Sequence, residues 1–219
     1  MNKQSGFTLV EIAIVLVIIG LLLGGVLKGQ ELINSAKVKN FAQDFKQIPI
    51  FIYGYQDKYK ALPGDDKGVD GTASGRFGTS GTPCSPAAAN KCAPGNGSID
   101  GLYNASTVAD ESFVFWQHIR LAGLAAGSTT TTDATFAPTN ADGGRVGIQS
   151  AVPITGMTGS YFVCSDGIQG KFAKQLDTTL DDGNTATGSM RVAANISTPT
   201  PIATAAIVDG TTYMVCLAL

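Results

Sequence analysis

The chain has 219 residues, of which 44% are hydrophobic and 15% are charged, and its formal net charge is −2. The charged share is low for a soluble globular domain, in which about a quarter of the residues carry charge. A net charge this close to neutral excludes the strong basic excess that typifies nucleic-acid binding, so nucleic acid is not indicated as a partner. The 27 glycines and 9 prolines predict a loop-rich domain with short strands.

The first long feature is an apolar segment at residues 7–27. Apart from Thr8 and Glu11, every residue in it is apolar or glycine. As a helix it would be roughly 30 Å long, which is one hydrocarbon thickness of a bilayer. A cleavable secretory signal is shorter and ends in an A-x-A-like site, and no such site follows here. A polar leader, residues 1–6, precedes the segment, and Lys3 predicts that the leader stays on the cytoplasmic side.

The helical pattern continues over residues 28–60, but there it is amphipathic. Apolar side chains recur at spacings of four and three, which is the pattern of one buried helix face. The residues of this stripe are Phe41, Phe45, Ile48, Ile52, Tyr55 and Tyr59. Pro49 predicts a bend, because its ring removes a hydrogen bond and clashes with the preceding turn. The sequence predicts one long helix from Phe7 to about Lys60, which ends at the L-P-G turn that follows.

The residues at the start of the apolar segment form a recognisable motif. Gly6, Phe7, Thr8, Leu9 and Glu11 make up the sequence G-F-T-L-x-E. With this motif the chain resembles the type IV pilins and the type II secretion pseudopilins. The resemblance implies that a prepilin peptidase cleaves between Gly6 and Phe7 and that the new amine of Phe7 is methylated.

The same resemblance implies where the protein is found. The precursor would lie in the bacterial inner membrane with its head in the periplasm. An inner-membrane assembly platform would then build it into a periplasmic pseudopilus or an extracellular pilus.

Glu11 is a carboxylate in an otherwise apolar segment. A charged side chain at the centre of a bilayer costs about 2.5–3.5 kcal/mol, so a partner is expected. In the filament that the resemblance implies, we expect Glu11 to neutralise the Phe7 amine of a neighbouring subunit and so to set the axial register. The alternative is a contact between Glu11 and the N-terminus of its own chain, without a role in assembly.

Four glycines, Gly20, Gly24, Gly25 and Gly29, lie in the same predicted helix. Glycine lowers the intrinsic helicity of a segment. Two interpretations stay open: close packing between membrane helices, or local unwinding when the helix leaves the membrane.

The four cysteines are Cys84, Cys92, Cys164 and Cys216. None of them forms a C-x-x-C motif and no histidine is near them, so a zinc site is not indicated. Because the N-terminal segment indicates export, we expect disulfides rather than the alternative, four reduced thiols in the cytosol. Three pairings are possible. We favour Cys84–Cys92, which closes a short loop, and Cys164–Cys216, which joins two strand-like segments.

Residues 61–219 predict an α+β head. Residues 61–107 are rich in glycine, proline and alanine, and they predict a long surface loop. Four later segments have β-like composition, and a short helix is expected between the second and the third. These segments are RVGIQSAV, GSYFVCS, SMRVAANI and TTYMVCLAL. We expect an antiparallel sheet that covers the apolar stripe of the long helix.

Another helix is predicted before the strands. It begins at a capping-box-like sequence, Thr107–Asp110, carries Glu111 in its first turn, and ends at Gly127. Its expected buried face consists of Phe113, Trp116, Leu121 and Leu124. His118 lies in this helix, and we expect a packed or exposed histidine rather than a catalytic one, because no serine or cysteine partner is indicated.

Aspartate and asparagine cluster in the loops of the head. The clusters contain Asp65, Asp66, Asp70, Asn96, Asp100, Asp181 and Asp182. Calcium prefers oxygen ligands of this kind, and the resemblance supports it, since some pseudopilins bind calcium in the globular domain. The candidate ligands are Asp65, Asp66 and Asp100. No complete D-x-D-x-D-G loop is present, and Asp and Asn also favour turns on their own account.

The leading functional hypothesis is structural. No P-loop, G-x-S-x-G or H-E-x-x-H motif occurs in the sequence, so we expect no enzyme. We expect a subunit of a pilus or pseudopilus filament, built from this chain alone or with other pilin-like subunits. Major pilin, minor pilin and pseudopilin stay open. The alternative is a membrane-anchored periplasmic binding or adhesion module that does not polymerise, and Gly6 and Glu11 count against it.

Overall fold

The structure, a computed structural model, describes residues 8–85 and 92–219. In these ranges it is an α+β protein with one long N-terminal helix, two shorter helices and a four-stranded antiparallel sheet in a globular head. This is the class that the sequence predicts. The elements are α1 (Leu9–Tyr59), α2 (Glu111–Leu121), β1 (Val146–Gln149), β2 (Phe162–Gln169), α3 (Gly170–Leu180), β3 (Met190–Ala193) and β4 (Thr212–Ala218).

Helix α1 has 51 residues and continues through Pro49. It ends just before Lys60, whose φ of 55° leaves the helical region. The chain forms two compact units, one that ends at Lys39 and one that runs from Asn40 to Leu219. Residues 40–59 of α1 therefore belong to the same unit as the rest of the head.

The apolar stripe of α1 is buried within the head unit. Phe41 lies 6.0 Å, between ring centroids, from Phe172 of α3. The Tyr55 hydroxyl donates to Asp66 Oδ2 at 2.7 Å. Tyr59, the last residue of the stripe, is half-buried. The other five are at most 2% exposed: Phe41, Phe45, Ile48, Ile52 and Tyr55.

The sheet has the strand order β1-β2-β4-β3, and every neighbouring pair is antiparallel. β4, the last strand along the sequence, therefore lies between β2 and β3. Cys164 on β2 is directly opposite Cys216 on β4. Side chains alternate between the two faces of a strand, so one face carries a cluster of buried residues: Tyr103, Ile154, Met157, Phe162, Cys164, Ala193, Met214 and Cys216.

Helix α2 is shorter than the sequence predicts. It begins at Glu111 rather than at Thr107, and Asp110 precedes it without a side-chain capping bond. The Thr107 hydroxyl instead donates to Asp110 Oδ2 at 3.2 Å, so the predicted capping box is wrong. The helix ends at Leu121 rather than at Gly127, because Gly123 adopts a φ of 77° and turns the chain.

The predicted buried face of α2 is confirmed only in part. Phe113 and Trp116 are buried, whereas Leu121 and Leu124 are half-buried. Leu124 lies beyond the end of the helix and therefore no longer shares the helical face with the other three.

The described part of the segment at residues 61–107 has no α-helix or strand, only a short 3-10 helix at Gly78–Ser80, but it is not simply a surface loop. Leu62, Val69, Ile99 and Tyr103 are at most 7% exposed. Buried backbone groups need hydrogen-bond partners, and buried carboxylates of the head supply several of them, as described below. This is why a segment rich in glycine and proline can pass through the interior.

Candidate functional site

Three residues of the sequence motif are described, Thr8 just before α1 and Leu9 and Glu11 in its first turn. The backbone N–H and the hydroxyl of Thr8 both donate to Glu11 Oε2, at 2.8 and 2.7 Å. The N–H of Glu11 donates to Thr8 Oγ1 at 3.3 Å. These reciprocal bonds form a capping box, T-x-x-E, at the N-terminus of the helix. The predicted cleavage and methylation positions, Gly6 and Phe7, lie outside the described residues.

The capping box uses only one oxygen of the Glu11 carboxylate. Both donors of Thr8 point to Oε2, and within residues 8–85 and 92–219 no hydrogen bond reaches Oε1. A carboxylate can accept about four hydrogen bonds. Glu11 can therefore bind a further donor without losing its contact with Thr8.

The first unit carries an apolar surface on α1. Its helix is long and apolar enough to cross a membrane by length and composition. Large side chains that are at least 46% exposed make up this surface: Leu9, Val10, Ile12, Ile14, Val15, Leu16, Val17, Ile18, Ile19, Leu21, Leu22, Leu23, Val26, Leu27, Leu32 and Ile33. A contiguous apolar surface of this kind marks a segment that is covered by lipid or by other protein.

The four glycines of α1 lie on this open surface. A Cβ atom placed at Gly20, Gly24, Gly25 or Gly29 would have no described atom within 4 Å. The glycines therefore have no packing role within the described chain. Close packing against other helices and local unwinding both stay predictions.

The three calcium candidates are not brought together as one group of ligand atoms in the described residues. Asp65 accepts hydrogen bonds from the backbone N–H groups of Gly95, Asn96 and Gly97. Burial raises the pKa of Asp65, and these three bonds oppose the increase. Asp100 accepts from the Asn96 side chain at 2.9 Å. These carboxylates hold loops through N–H donors, which is a different task from binding a cation.

Asp66 is also occupied by donors. Besides the Tyr55 hydroxyl, it accepts the N–H of Gly68 at 2.8 Å. Its Oδ2 lies 2.6 Å from Nε of Arg76 in an ion pair. Asp66 is 3% exposed, so this buried anion is paired and hydrogen-bonded, as buried charges must be.

His118 is packed, as one of the two sequence-based alternatives has it. It is 1% exposed, and the N–H of Gly64 donates to its Nδ1 at 3.0 Å. Since Nδ1 accepts, Nε2 carries the proton and faces the carbonyl oxygen of Thr82 at 3.3 Å. Burial lowers the pKa of His118 to about 4. Both ring nitrogens are thus engaged by backbone groups.

Glu111 has a role that the sequence does not indicate. Its Oε1 accepts the N–H of Ala93 at 2.7 Å, and its Oε2 accepts the N–H of Asp100 at 2.9 Å. It is fully buried, and burial raises its pKa to about 7 against the opposing effect of these two bonds. The sequence predicts a charge in the first turn of a helix, whereas the side chain joins two loop segments to α2.

The cysteines form Cys84–Cys92 and Cys164–Cys216, which is the pairing favoured from the sequence. Glu111 Oε1 lies 3.6 Å from Cys84 Sγ, and these two residues with Cys92 could together approach a metal ion. A thiolate is the form of cysteine that binds metals. Since both sulfurs are in a disulfide, this group offers no thiolate ligand.

Residues 1–27 match a family model described as the prokaryotic N-terminal methylation motif. This motif is the hallmark of type IV pilin and pseudopilin precursors, so the resemblance based on residues 6–11 is confirmed. The match does not extend into the head. No curated protein and no solved structure matches the chain.

Proposed function

We propose that this chain is the precursor of a structural subunit of a pilus or pseudopilus filament. The observation that carries the proposal is the methylation motif at residues 1–27, followed by an exposed apolar helix with a single carboxylate near its start. In this proposal, a prepilin peptidase cleaves between Gly6 and Phe7, and the amine of Phe7 is methylated. The subunit waits in the inner membrane with its head in the periplasm.

Assembly then transfers the apolar surface of α1 from lipid to other subunits. An inner-membrane platform would add subunits one at a time, either copies of this chain or related pilin-like chains. Helix packing between subunits would cover the side chains that are exposed from Leu9 to Ile33. Covering apolar surface that would otherwise be in contact with water favours association, so burial of this surface in the fibre would favour assembly.

Glu11 would connect neighbouring subunits. Its second oxygen, Oε1, which accepts no hydrogen bond from the described residues, can accept one from the methylated amine of an adjacent chain while Oε2 keeps its bonds with Thr8. A charge pair in a dry core stabilises assembly only when both partners are present, and removal of one leaves a buried charge that costs about 3–5 kcal/mol. This energy selects the one axial register in which carboxylate and amine meet.

The proposed role is structural and not enzymatic. The polar groups of the head that most resemble catalytic ones, His118 and Glu111, are buried and bonded to backbone groups. A non-polymerising, membrane-anchored binding or adhesion module is the competing function. Such a module would need neither the cleavage site between Gly6 and Phe7 nor the carboxylate of Glu11.

The first test is mass spectrometry of the protein isolated from a host with a prepilin peptidase. We expect a chain that begins with N-methylated Phe7. A chain that still begins at Met1 would favour the unprocessed anchor.

The second test measures filament yield for Glu11→Gln, with Glu31→Gln as the matched control. Glu31 is also an exposed carboxylate on α1, paired with Lys28 at 2.6 Å. We expect at least a tenfold fall in sheared filaments for Glu11→Gln, since ~1.4 kcal/mol already corresponds to tenfold, and little change for the control. Equal yields of filaments from both variants would contradict the proposed pairing.

A further inference from the structure

Three carboxylates meet where α3 ends. Asp177 lies in the last turn of α3, and Asp181 and Asp182 follow directly after the helix. One ligand oxygen from each lies within 4.8 Å of the others. The three differ in exposure, from buried Asp177 through half-buried Asp181 to exposed Asp182, so the group extends from the interior to solvent.

Asp177 is a buried carboxylate without a hydrogen-bond partner in the part of the chain that the structure describes. It is 0% exposed, and within the described ranges neither of its carboxylate oxygens has a hydrogen-bond partner. The N–H of Gly183 comes close enough to lower the pKa of Asp177, but it does not reach hydrogen-bond geometry. Its effect on the pKa is smaller than that of burial or of either neighbouring carboxylate. Burial, followed by the charges of Asp181 and Asp182, raises the pKa of Asp177 to about 6.

The three carboxylates lie at the C-terminal end of α3, and this position makes their negative charges more unfavourable. The C-terminal end of a helix carries a partial negative charge from its free carbonyl groups, so cations are favoured there and anions are not. Three carboxylates at such an end repel one another and the helix. A buried polar group normally has a partner, and an exception needs an explanation.

We propose that Asp177, Asp181 and Asp182 bind one Ca²⁺ ion. Calcium takes oxygen ligands at about 2.3–2.6 Å, so two ligands of one ion lie at most about 5 Å apart, and the observed group meets this condition. The ion would give Asp177 the partner that it lacks among the described residues. These residues are distinct from the sequence-based candidates Asp65, Asp66 and Asp100.

The loop holds the outer two carboxylates in place without using all of their oxygen lone pairs. Asp181 Oδ2 accepts the N–H of Met190 at 2.8 Å. Asp182 Oδ1 accepts the N–H of Asn184 at 2.8 Å. Each carboxylate has about four acceptor positions, so both keep free positions for a cation. Because Asp182 is exposed, water can complete the coordination and the ion can enter from solvent.

The experiment uses the full chain in detergent micelles after removal of metals with a chelator. Thermal unfolding is followed by near-ultraviolet circular dichroism with no metal, with Ca²⁺ and with Mg²⁺. At Ca²⁺ about 100-fold above its Kd, we expect the Tm to rise by about 5–10 °C. Mg²⁺ at the same concentration should give a smaller rise, because it needs a nearly ideal octahedral site.

Three variants locate the effect. Asp177→Asn should abolish the response to Ca²⁺, and Asp182→Asn, at an exposed position that tolerates change, should weaken Ca²⁺ binding about tenfold. Asp133→Asn is the matched control, because Asp133 is an exposed turn residue that accepts the N–H of Thr135 as Asp182 accepts that of Asn184. The control should keep the wild-type response.

Two results would overturn the proposal. The first is a Tm of the wild-type chain that Ca²⁺ does not change, which would mean that the three carboxylates do not bind the ion. The second is a full response in Asp182→Asn, which would mean that calcium binds elsewhere. Asp182→Asn therefore keeps the test decisive even if Asp177→Asn does not fold.

Discussion

The backbone N–H of Gly64 donates to Nδ1 of His118 at 3.0 Å, which joins the loop after α1 to α2. Only glycine fits at this position, since φ is +91° and a Cβ would lie 2.6 Å from the carbonyl oxygen of Glu111. The bond requires a neutral imidazole, because a protonated one has no acceptor nitrogen. The stability of the head is therefore linked to pH through this histidine.

His118 should make the head less stable in acid. Its pKa is about 4 in the folded state and 6.5 as its ordinary value, so the unfolded chain binds more protons between these values. The free energy of unfolding therefore rises by about 3 kcal/mol as the pH increases from 4 to 6.5, and the same amount is lost when the pH falls from 6.5 to 4. His118→Asn, which can accept the Gly64 N–H but does not titrate, should lose this dependence. Urea unfolding at several pH values measures it, and an unchanged slope in the variant would assign the effect to another group.

Glu111 should make the head less stable as the pH rises, which is the opposite of the effect of His118. Its pKa is raised from 4.5 to about 7 by burial, so the folded state binds more protons between these values and its contribution to stability falls as pH rises. Glu111→Gln should therefore make the rise due to His118 steeper at about pH 5–6.5. The same urea series compares the variant with wild type. The expectation fails if the two slopes are equal, and Glu31→Gln, on the exposed part of α1, serves as the control.

The two disulfides should contribute unequally to stability. Cys164–Cys216 closes a separation of 52 residues and Cys84–Cys92 one of 8. In the loop-entropy model these correspond to about 4 and about 2.5 kcal/mol. Replacement of each pair by two alanines, with the free energy of unfolding measured in denaturant, should give the larger loss for the pair in the sheet. An equal or reversed order would show that strain or structure in the unfolded chain outweighs loop entropy.

The sequence predicts the long elements well because their signal is periodic and local. The apolar run and the stripe from Phe41 to Tyr59 predict α1 with an error of one residue at its C-terminal end. Three of the four β-like segments contain a whole strand, and the second contains only the first four residues of β2, which continues to Gln169. Patterns of this kind depend on neighbours in the chain, which a single sequence displays directly.

The polar contacts of the head could not be predicted in the same way. Asp65 and Glu111 bind backbone N–H groups of Gly95, Gly97, Ala93 and Asp100, and a backbone donor leaves no trace in side-chain chemistry. Such residues resemble surface charges until the fold brings their partners close. By contrast, the Thr8–Glu11 capping box is an [ST]-x-x-[DE] pattern. The signal for this capping box is therefore present in the sequence, where the same residues also belong to the processing motif.

The position of β4 has a consequence for how the head matures. β4, which follows the other three strands along the sequence, occupies an interior place in the sheet, between β2 and β3, and the Leu219 N–H donates to the carbonyl oxygen of Tyr161 beyond the end of β4. If the head is exported with its N-terminal side first, β2 and β3 emerge before the segment that lies between them in the sheet. In that case the sheet could close only after residues 212–218 have been delivered, and until then the edges of β2 and β3 that face β4 would stay unpaired and would need shielding from aggregation.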